Sequence, residues 1–198
     1  MSAASFDIQR VQRVRKAAML LGIIVVVSVA VLTRSEWASG EVDEGIEALG
    51  LALIAICIVG RAWCSLYIGG RKKSEIVDRG PYSVSRNPLY MFSFIGAFGV
   101  GAQTGSASLA ALFLSVTVLV FWFTVRREEE WLSETFGATY DAYVARTPRF
   151  GPDFSKWSDE GVLEIRPRFF LTTLRDGLVF AALGLGALGQ ERRQRKRF

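Results

Sequence analysis

The sequence predicts an all-α fold, a polytopic transmembrane helix bundle with a cytoplasmic cap, formed as one domain over residues 1–198. Three observations predict it. Of 198 residues, 51% are hydrophobic and the mean hydropathy is +0.28. The apolar residues fall in blocks near the roughly 20 residues a helix needs to cross a bilayer. Basic residues cluster at alternate ends of those blocks, the pattern that orients membrane chains.

Ala17–Thr33, AAMLLGIIVVVSVAVLT, carries no charge and reads as the first span. It is a poor signal peptide, because TRSEWASGEVDEG offers no clear small-residue cleavage site and a second apolar block follows. Ile46–Ile68 is the second span, with Glu47 near one end and Arg61 inside. The stretch from Asn87 to Val125 holds no charged residue and is too long for one helix. Its turn-forming run GVGAQTGSAS predicts a hairpin, with spans three and four over Leu89–Ala102 and Ser106–Val125. Beyond it, RREEEWLSETFG begins as a helix that Phe136-Gly137 should break.

Arg10, Arg13, Arg15 and Lys16 precede span one, and Arg71, Lys72, Lys73, Arg79 and Arg86 follow span two. Arg126 and Arg127 follow span four, while the hairpin between spans three and four has no Lys or Arg. The N-terminus, the Gly80–Phe92 corner and everything from Arg126 onward are therefore expected on the cytoplasmic side. Phe169–Gly189 is apolar but interrupted by Arg175 and Asp176. It either lies at the surface or crosses as a fifth span, which would put Arg192, Arg193, Arg195, Lys196 and Arg197 on the wrong side. That basic tail is expected to bind anionic lipid headgroups rather than nucleic acid.

The chain has no histidine, which removes the usual proton shuttle near neutral pH and the commonest metal ligand. Cys57 and Cys64 would lie about 10 Å apart along one helix, too far for a disulfide, and two thiols make a poor metal site. No metal is expected, and both cysteines read as small packing residues.

Two polar clusters then face one aqueous boundary. Tyr82, Arg86, Asn87 and Tyr90 surround Pro81 and Pro88 at the start of span three; Glu128, Glu129 and Glu130 leave span four. An antiparallel hairpin must set the two side by side. Taken singly, each is ordinary: Pro88 opens a helix, Asn87 caps it, and an acidic triplet is a solvated helix end. Together they outline a pocket for a charged small molecule opening toward lipid.

Gly80-Pro81-Tyr82, Arg86-Asn87-Pro88-Leu89-Tyr90, Glu128-Glu129, Phe136-Gly137, Tyr140, Tyr143 and Pro148-Arg149-Phe150 appear in this order between Val77 and Pro152. The pattern resembles the isoprenylcysteine carboxyl methyltransferase and phospholipid methyltransferase group of integral membrane enzymes. The resemblance implies S-adenosylmethionine as cofactor, held on the cytoplasmic side by Tyr82, Arg86, Asn87, Pro88, Tyr90, Glu128 and Glu129. Arg86, Asn87 and Glu129 are the expected catalytic set, with the glutamates on the cofactor's ammonium or ribose and Arg86 on a carboxylate. Tyr140, Tyr143 and Arg149 are expected on a closing cap, and with Arg61 they are the candidate substrate contacts. The family's usual histidine between Arg and Pro is Asn87 here, which can hydrogen-bond but cannot titrate.

Methyl transfer from a sulfonium needs alignment and exclusion of water more than acid–base groups. Without a titrating base, an acceptor already anionic is favoured. A carboxylate on a lipophilic or prenylated molecule is the first expectation; a phospholipid amine, a thiol or a hydroxyl are the alternatives. Two other classes stay open: a nicotinamide-dependent reductase, since some sterol reductases carry a similar corner on a larger bundle, and a non-catalytic membrane protein.

Overall fold

A computed structural model describes residues 41–72, 74–104, 106–178 and 181. The expected first span, Ala17–Thr33, and the basic tail lie outside the described residues. Among those residues every regular element is helical: α1 (Glu41–Ile68), α2 (Pro81–Val84), α3 (Pro88–Ala102), α4 (Ala107–Phe136) and α5 (Ala138–Arg146), then a short 3-10 turn at Phe154–Lys156 and α6, residues 167–178.

Two of these helices, α1 over Gly45–Ile68 and α4, are long and apolar enough to cross a membrane. Of the four expected spans, the first lies outside the described residues, the second and fourth are these two helices, and the third is a shorter apolar helix at its expected place. Helix α3 has 15 residues, about 22 Å of rise, because Pro88 sets its start and the turn after Ala102 its end. Helix α4 is longer than the expected span. It has 30 residues, about 45 Å, running unbroken from the apolar layer through the Glu128–Glu130 triplet. It stops where expected, at Gly137, whose φ of 50° ends the helix and whose N–H closes on the Ser133 carbonyl.

The hairpin of α3 and α4 turns through Gln103 to Ser106. Thr104 Oγ1 donates to the Gly101 carbonyl, and Ser106 Oγ caps α4 by accepting from Leu109 N–H. Small residues allow near-backbone contact of α3 with both neighbours. A Cβ on Gly96 would lie 2.5 Å from Cys57 Sγ, one on Gly99 2.8 Å from the Gly50 carbonyl, and one on Gly101 2.5 Å from the Ala110 Cα. Such close approach through small residues is how helices associate in lipid, where there is no water to expel. Both cysteines are free thiols that serve in packing, as expected: Cys57 lies against Gly96 of α3, and Cys64 is buried with Tyr67 and Tyr82.

Beyond α5 the chain doubles back as a strap beneath α1 and the corner. Asp153 N–H donates to the Val84 carbonyl, Gly80 N–H to the Ser158 carbonyl, and Tyr67 Oη to Asp159 Oδ2 at 2.7 Å. Trp157 stacks on Trp63 with centroids 5.9 Å apart. Helix α6 then runs antiparallel to α1. A Cβ on Gly69 would meet Phe169 at 2.9 Å, and one on Gly177 would meet Ile58 at 3.0 Å. The described part of the C-terminal block therefore climbs along α1 rather than lying across its end, and Arg175 pairs locally with Asp176 at 3.0 Å.

Candidate functional site

The corner is built by two prolines and one glycine. Pro81 opens α2 and Pro88 opens α3, each at a position where a missing N–H costs nothing. Gly80 precedes them with φ 55° and ψ −130°, a backbone shape that glycine adopts freely. The Tyr67 ring lies against it, 2.3 Å from where a Cβ would stand. Between the prolines, Ser85 is extended and fully buried. The strap completes the corner through its backbone: Arg86 N–H donates to the Pro148 carbonyl at 2.9 Å, and Asn87 Nδ2 donates to the Arg149 carbonyl at 3.2 Å.

That last bond corrects the expected helix cap. Asn87 holds the N-cap position of α3, but its side chain makes no capping bond. Its φ of −130° and ψ of 48° turn the amide toward the strap instead.

The two acidic residues do meet the corner, as the hairpin requires. Glu129 receives two guanidinium groups. Arg149 bonds Oε2 through Nε at 2.9 Å and through Nη2 at 2.7 Å, while Arg86 Nη2 stands 3.4 Å from Oε1 without hydrogen-bond geometry. The Arg86 and Glu129 side chains are 9% and 12% exposed, so this charge cluster is largely out of water. Glu128 accepts from Tyr90 Oη at 2.9 Å and pairs with Lys72 Nζ at 2.8 Å. Tyr90 is braced against Phe121, with centroids 4.6 Å apart. Arg149 in turn lies over the Trp122 ring at 5.7 Å.

Three buried polar atoms of this cluster, Arg86 Nε, Glu129 Oε1 and Tyr140 Oη, have no hydrogen-bond partner among the described residues; nor does Tyr82 Oη, expected in the same site but packed with Cys64 and Tyr67 on the α1 side. Native proteins leave few such atoms, because each forfeits its bonds to water. Three in one cluster, both donors and an acceptor, describe a place where a polar ligand would complete the bonding. Tyr140 Oη is pushed up to about 12, first by burial and then by the Glu129 charge, so it stays a neutral donor. Burial likewise drives Tyr82 and Tyr143 well above the ordinary phenol range. Tyr143 differs in being spoken for: its hydroxyl donates to the Tyr82 carbonyl at 2.7 Å, which ties the cap helix α5 to α2.

The structure thus gathers Arg86, Asn87, Tyr90, Glu128, Glu129, Tyr140 and Arg149 into one cluster, with Pro88 as its backbone support. Tyr143 holds the cap rather than facing the glutamates. Arg61 is on the α1 side of α3, bonded to Ser93 Oγ and the Leu89 carbonyl. Sequence reasoning missed Lys72, which had counted only as one of a run of topology-setting cations. Nothing in its local pattern distinguishes it from Lys73; only the fold brings it to Glu128.

The unpartnered Tyr140 hydroxyl gives a direct test. Tyr140→Phe deletes a donor that bonds nothing among the described residues, so the thermal midpoint should stay unchanged or rise slightly. S-adenosylhomocysteine affinity should fall about tenfold if that donor is kept for a ligand, the equivalent of one hydrogen bond of about 1.4 kcal/mol. Scanning fluorimetry and calorimetry on one detergent sample measure both.

Comparison with known proteins places the segment that holds these residues in a family. Residues 48–139, which include α3, the corner and the glutamates, match the phospholipid methyltransferase family. The nickel-cobalt-cadmium resistance protein NccN of Alcaligenes xylosoxydans xylosoxydans is 35% identical over 162 residues, covering 81% of this chain and 76% of that protein. The cobalt-zinc-cadmium resistance protein CzcN of Cupriavidus metallidurans is 32% identical over 151 residues, covering 76% of this chain and 69% of that protein. No solved structure matches the chain significantly. With an apolar helix pair, a proline-framed arginine corner and a facing glutamate pair inside the matched segment, the chain belongs to the phospholipid methyltransferase family, integral membrane methyltransferases related to the isoprenylcysteine carboxyl methyltransferases.

Proposed function

We propose that this protein transfers a methyl group from S-adenosylmethionine to a lipophilic acceptor at the cytoplasmic face of a membrane that it crosses several times. The observation that carries this reading is the set of three buried polar atoms on Arg86, Glu129 and Tyr140 without hydrogen-bond partners among the described residues, beside two helices apolar enough to span lipid.

The residues present fit the cofactor. Its amino-acid end is a zwitterion, and the corner offers a guanidinium N–H and a carboxylate oxygen that face each other as charges but make no hydrogen bond among the described residues. Arg86 would take the carboxylate by forked donation and Glu129 Oε1 the ammonium. Glu128 and Tyr90 would serve the nucleoside hydroxyls, with Asn87 and Pro88 shaping the wall. When bound, the cofactor supplies a methyl on a sulfonium, displaced in line by the acceptor. Everything else the chain does is placement. Tyr82 and Tyr90 put aromatic faces where positive charge must be tolerated, a contribution of about 0.5–2 kcal/mol. Cap helix α5 and the strap exclude water, and Arg149 holds Glu129 in position.

The chain has no histidine to act as a proton shuttle, so the acceptor atom should arrive ionised or shed its proton to solvent. A carboxylate is favoured, with an amine, thiol or hydroxyl as alternatives. The relatives named for metal resistance suggest a setting for the activity. Among the described residues no group of three or more Cys, Asp or Glu side chains is placed to hold a metal ion. We read a link to metal tolerance, if this chain has one, as acting through the methylated product.

The deciding experiment adds labelled S-adenosylmethionine and a lipid extract to the purified protein, alongside calorimetry with S-adenosylhomocysteine and NADPH. Label in an organic-soluble product, with binding of S-adenosylhomocysteine alone, is expected. Binding of NADPH instead, or of neither, would overturn the reading.

A further inference from the structure

Arg61 is a cation inside an apolar helix, and among the described residues no carboxylate pairs with it. It lies two turns before the end of α1 at Ile68, about 10 Å along the axis. Side chains leave a helix tilted toward its N-terminus, so Arg61 departs away from the nearer, corner-side end of α1. Snorkelling to that boundary therefore runs against its own geometry. The guanidinium is instead held within the apolar layer by the first turns of α3. Nη1 donates to Ser93 Oγ and stands 3.4 Å from the Leu89 carbonyl, while Ser93 Oγ itself donates to that same carbonyl at 2.9 Å. These partners are neutral. They fix one nitrogen and leave the remaining N–H groups without a protein acceptor among the described residues.

A second observation points to the same place. Cys64, one turn further along α1, packs against the Tyr82 ring, and Leu89 and Phe92 close the other side. Tyr82 is 4% exposed and its hydroxyl has no hydrogen-bond partner among the described residues. The Arg61 charge is felt at that hydroxyl, where it opposes the effect of burial. An embedded guanidinium with free donors and a buried phenol with a free donor thus share the apolar space between α1, α2 and α3. A charge at such depth is costly unless something neutralises it.

We infer that Arg61, oriented by Ser93 and Leu89 and assisted by Tyr82, forms a subsite for an oxyanion carried on a lipophilic molecule, reached from the membrane on the α1 side of α3. Resting on the methyltransferase reading, this is the acceptor's anchor: the negative group supplies the missing counter-charge while the hydrocarbon stays in lipid. Two sources share that chemistry, a long-chain carboxylate and a phosphate headgroup.

The test uses the full chain in phosphatidylcholine nanodiscs with three diazirine-bearing C16 probes that differ only in the headgroup: carboxylate, monoalkyl phosphate and alcohol. Photolabelling is read by peptide mapping, with S-adenosylhomocysteine affinity measured on the same samples. An oxyanion probe should label residues 57–64 and 89–93 at least tenfold more than the alcohol, and which of the two labels better identifies the source. Arg61→Gln should reduce that labelling to the alcohol level, and Arg61→Lys should restore part of it. Affinity for S-adenosylhomocysteine should stay within twofold in both variants, which also shows them folded. Equal labelling by all three probes, or a preference that survives Arg61→Gln, overturns the subsite. Failure of the wild type to bind S-adenosylhomocysteine while the charge preference persists would instead overturn the methyltransferase reading and leave the subsite standing.

Discussion

Glu129→Gln should abolish measurable S-adenosylhomocysteine binding, a loss of at least a hundredfold, and reduce methyl transfer to background. The amide keeps the size of the carboxylate and one acceptor oxygen, so packing survives. What goes is the charge that both Arg86 and Arg149 face. Arg86 is then left with its guanidinium 9% exposed and no counter-ion. Removing one partner of a fully buried ion pair costs about 3–5 kcal/mol. Arg149, at 35% exposed, can turn toward solvent, so a smaller loss, about 2 kcal/mol, is expected in the thermal midpoint. Glu130→Gln is the control one residue away. Glu130 is exposed and pairs only loosely with Arg127 at 3.4 Å, so neither binding nor midpoint should move. Calorimetry and scanning fluorimetry on the two variants separate a site effect from a general effect of charge on the acidic triplet.

Gly80→Ala should be nearly as damaging, although it removes no functional atom. The added Cβ would stand 2.3 Å from Tyr67 Cε1 and 2.4 Å from Cζ, in the middle of a buried ring. A ring edge cannot give way as a flexible side-chain end can, so either Tyr67 leaves its bond to Asp159 or the corner shifts. Backbone strain at a positive φ adds about 1–3 kcal/mol. Gly137→Ala isolates that strain, because Gly137 also has a positive φ, 50°, but nothing lies within 4 Å of its Cβ position. Gly137→Ala should cost about 1 kcal/mol and leave binding within a few-fold. Gly80→Ala should lose more than a hundredfold in S-adenosylhomocysteine affinity, since displacing the corner by an ångström misaligns Tyr82 and Arg86 together. Similar losses from the two alanines would show that strain alone, not the Tyr67 contact, governs the corner.

The hairpin was legible in the sequence because it rests on local signals. A charge-free stretch with one turn-rich run admits one simple folding-back, and from it the meeting of Arg86 with Glu129 follows by chain geometry alone. The stop at Phe136-Gly137 was equally local, since glycine there permits the positive φ that ends α4. The third helix was legible in its bounds, expected over Leu89–Ala102 and observed over Pro88–Ala102, but so short an apolar run does not by itself make a crossing. The strap was invisible for a different reason. Its bonds to the corner are largely backbone to backbone across some sixty to eighty residues, as between Arg86 and Pro148 or Gly80 and Ser158, and carry no side-chain signature. Lys72 shows the same limit, since its partner Glu128 lies on another helix and its neighbour Lys73 looks identical in pattern. The place of Glu129 opposite Arg86 was legible but not its company: the hold of Arg149 Nε and Nη2 on its Oε2 was not foreseen.

Helix α3, with 15 residues, reaches about 22 Å, whereas the hydrocarbon layer is about 30 Å thick. Its far end is polar: Gln103 Nε2 bonds the Glu47 carbonyl and Thr104 caps the Gly101 carbonyl. With the protein seated across a membrane as proposed, headgroups and water would dip inward to meet that turn, since a lipid film deforms more cheaply than polar backbone sinks into oil. The bilayer beside α3 would then be dimpled and its acyl chains would crowd less tightly. An amphiphile drawn out of this thinned rim has fewer neighbouring chains to leave behind than one taken from flat membrane.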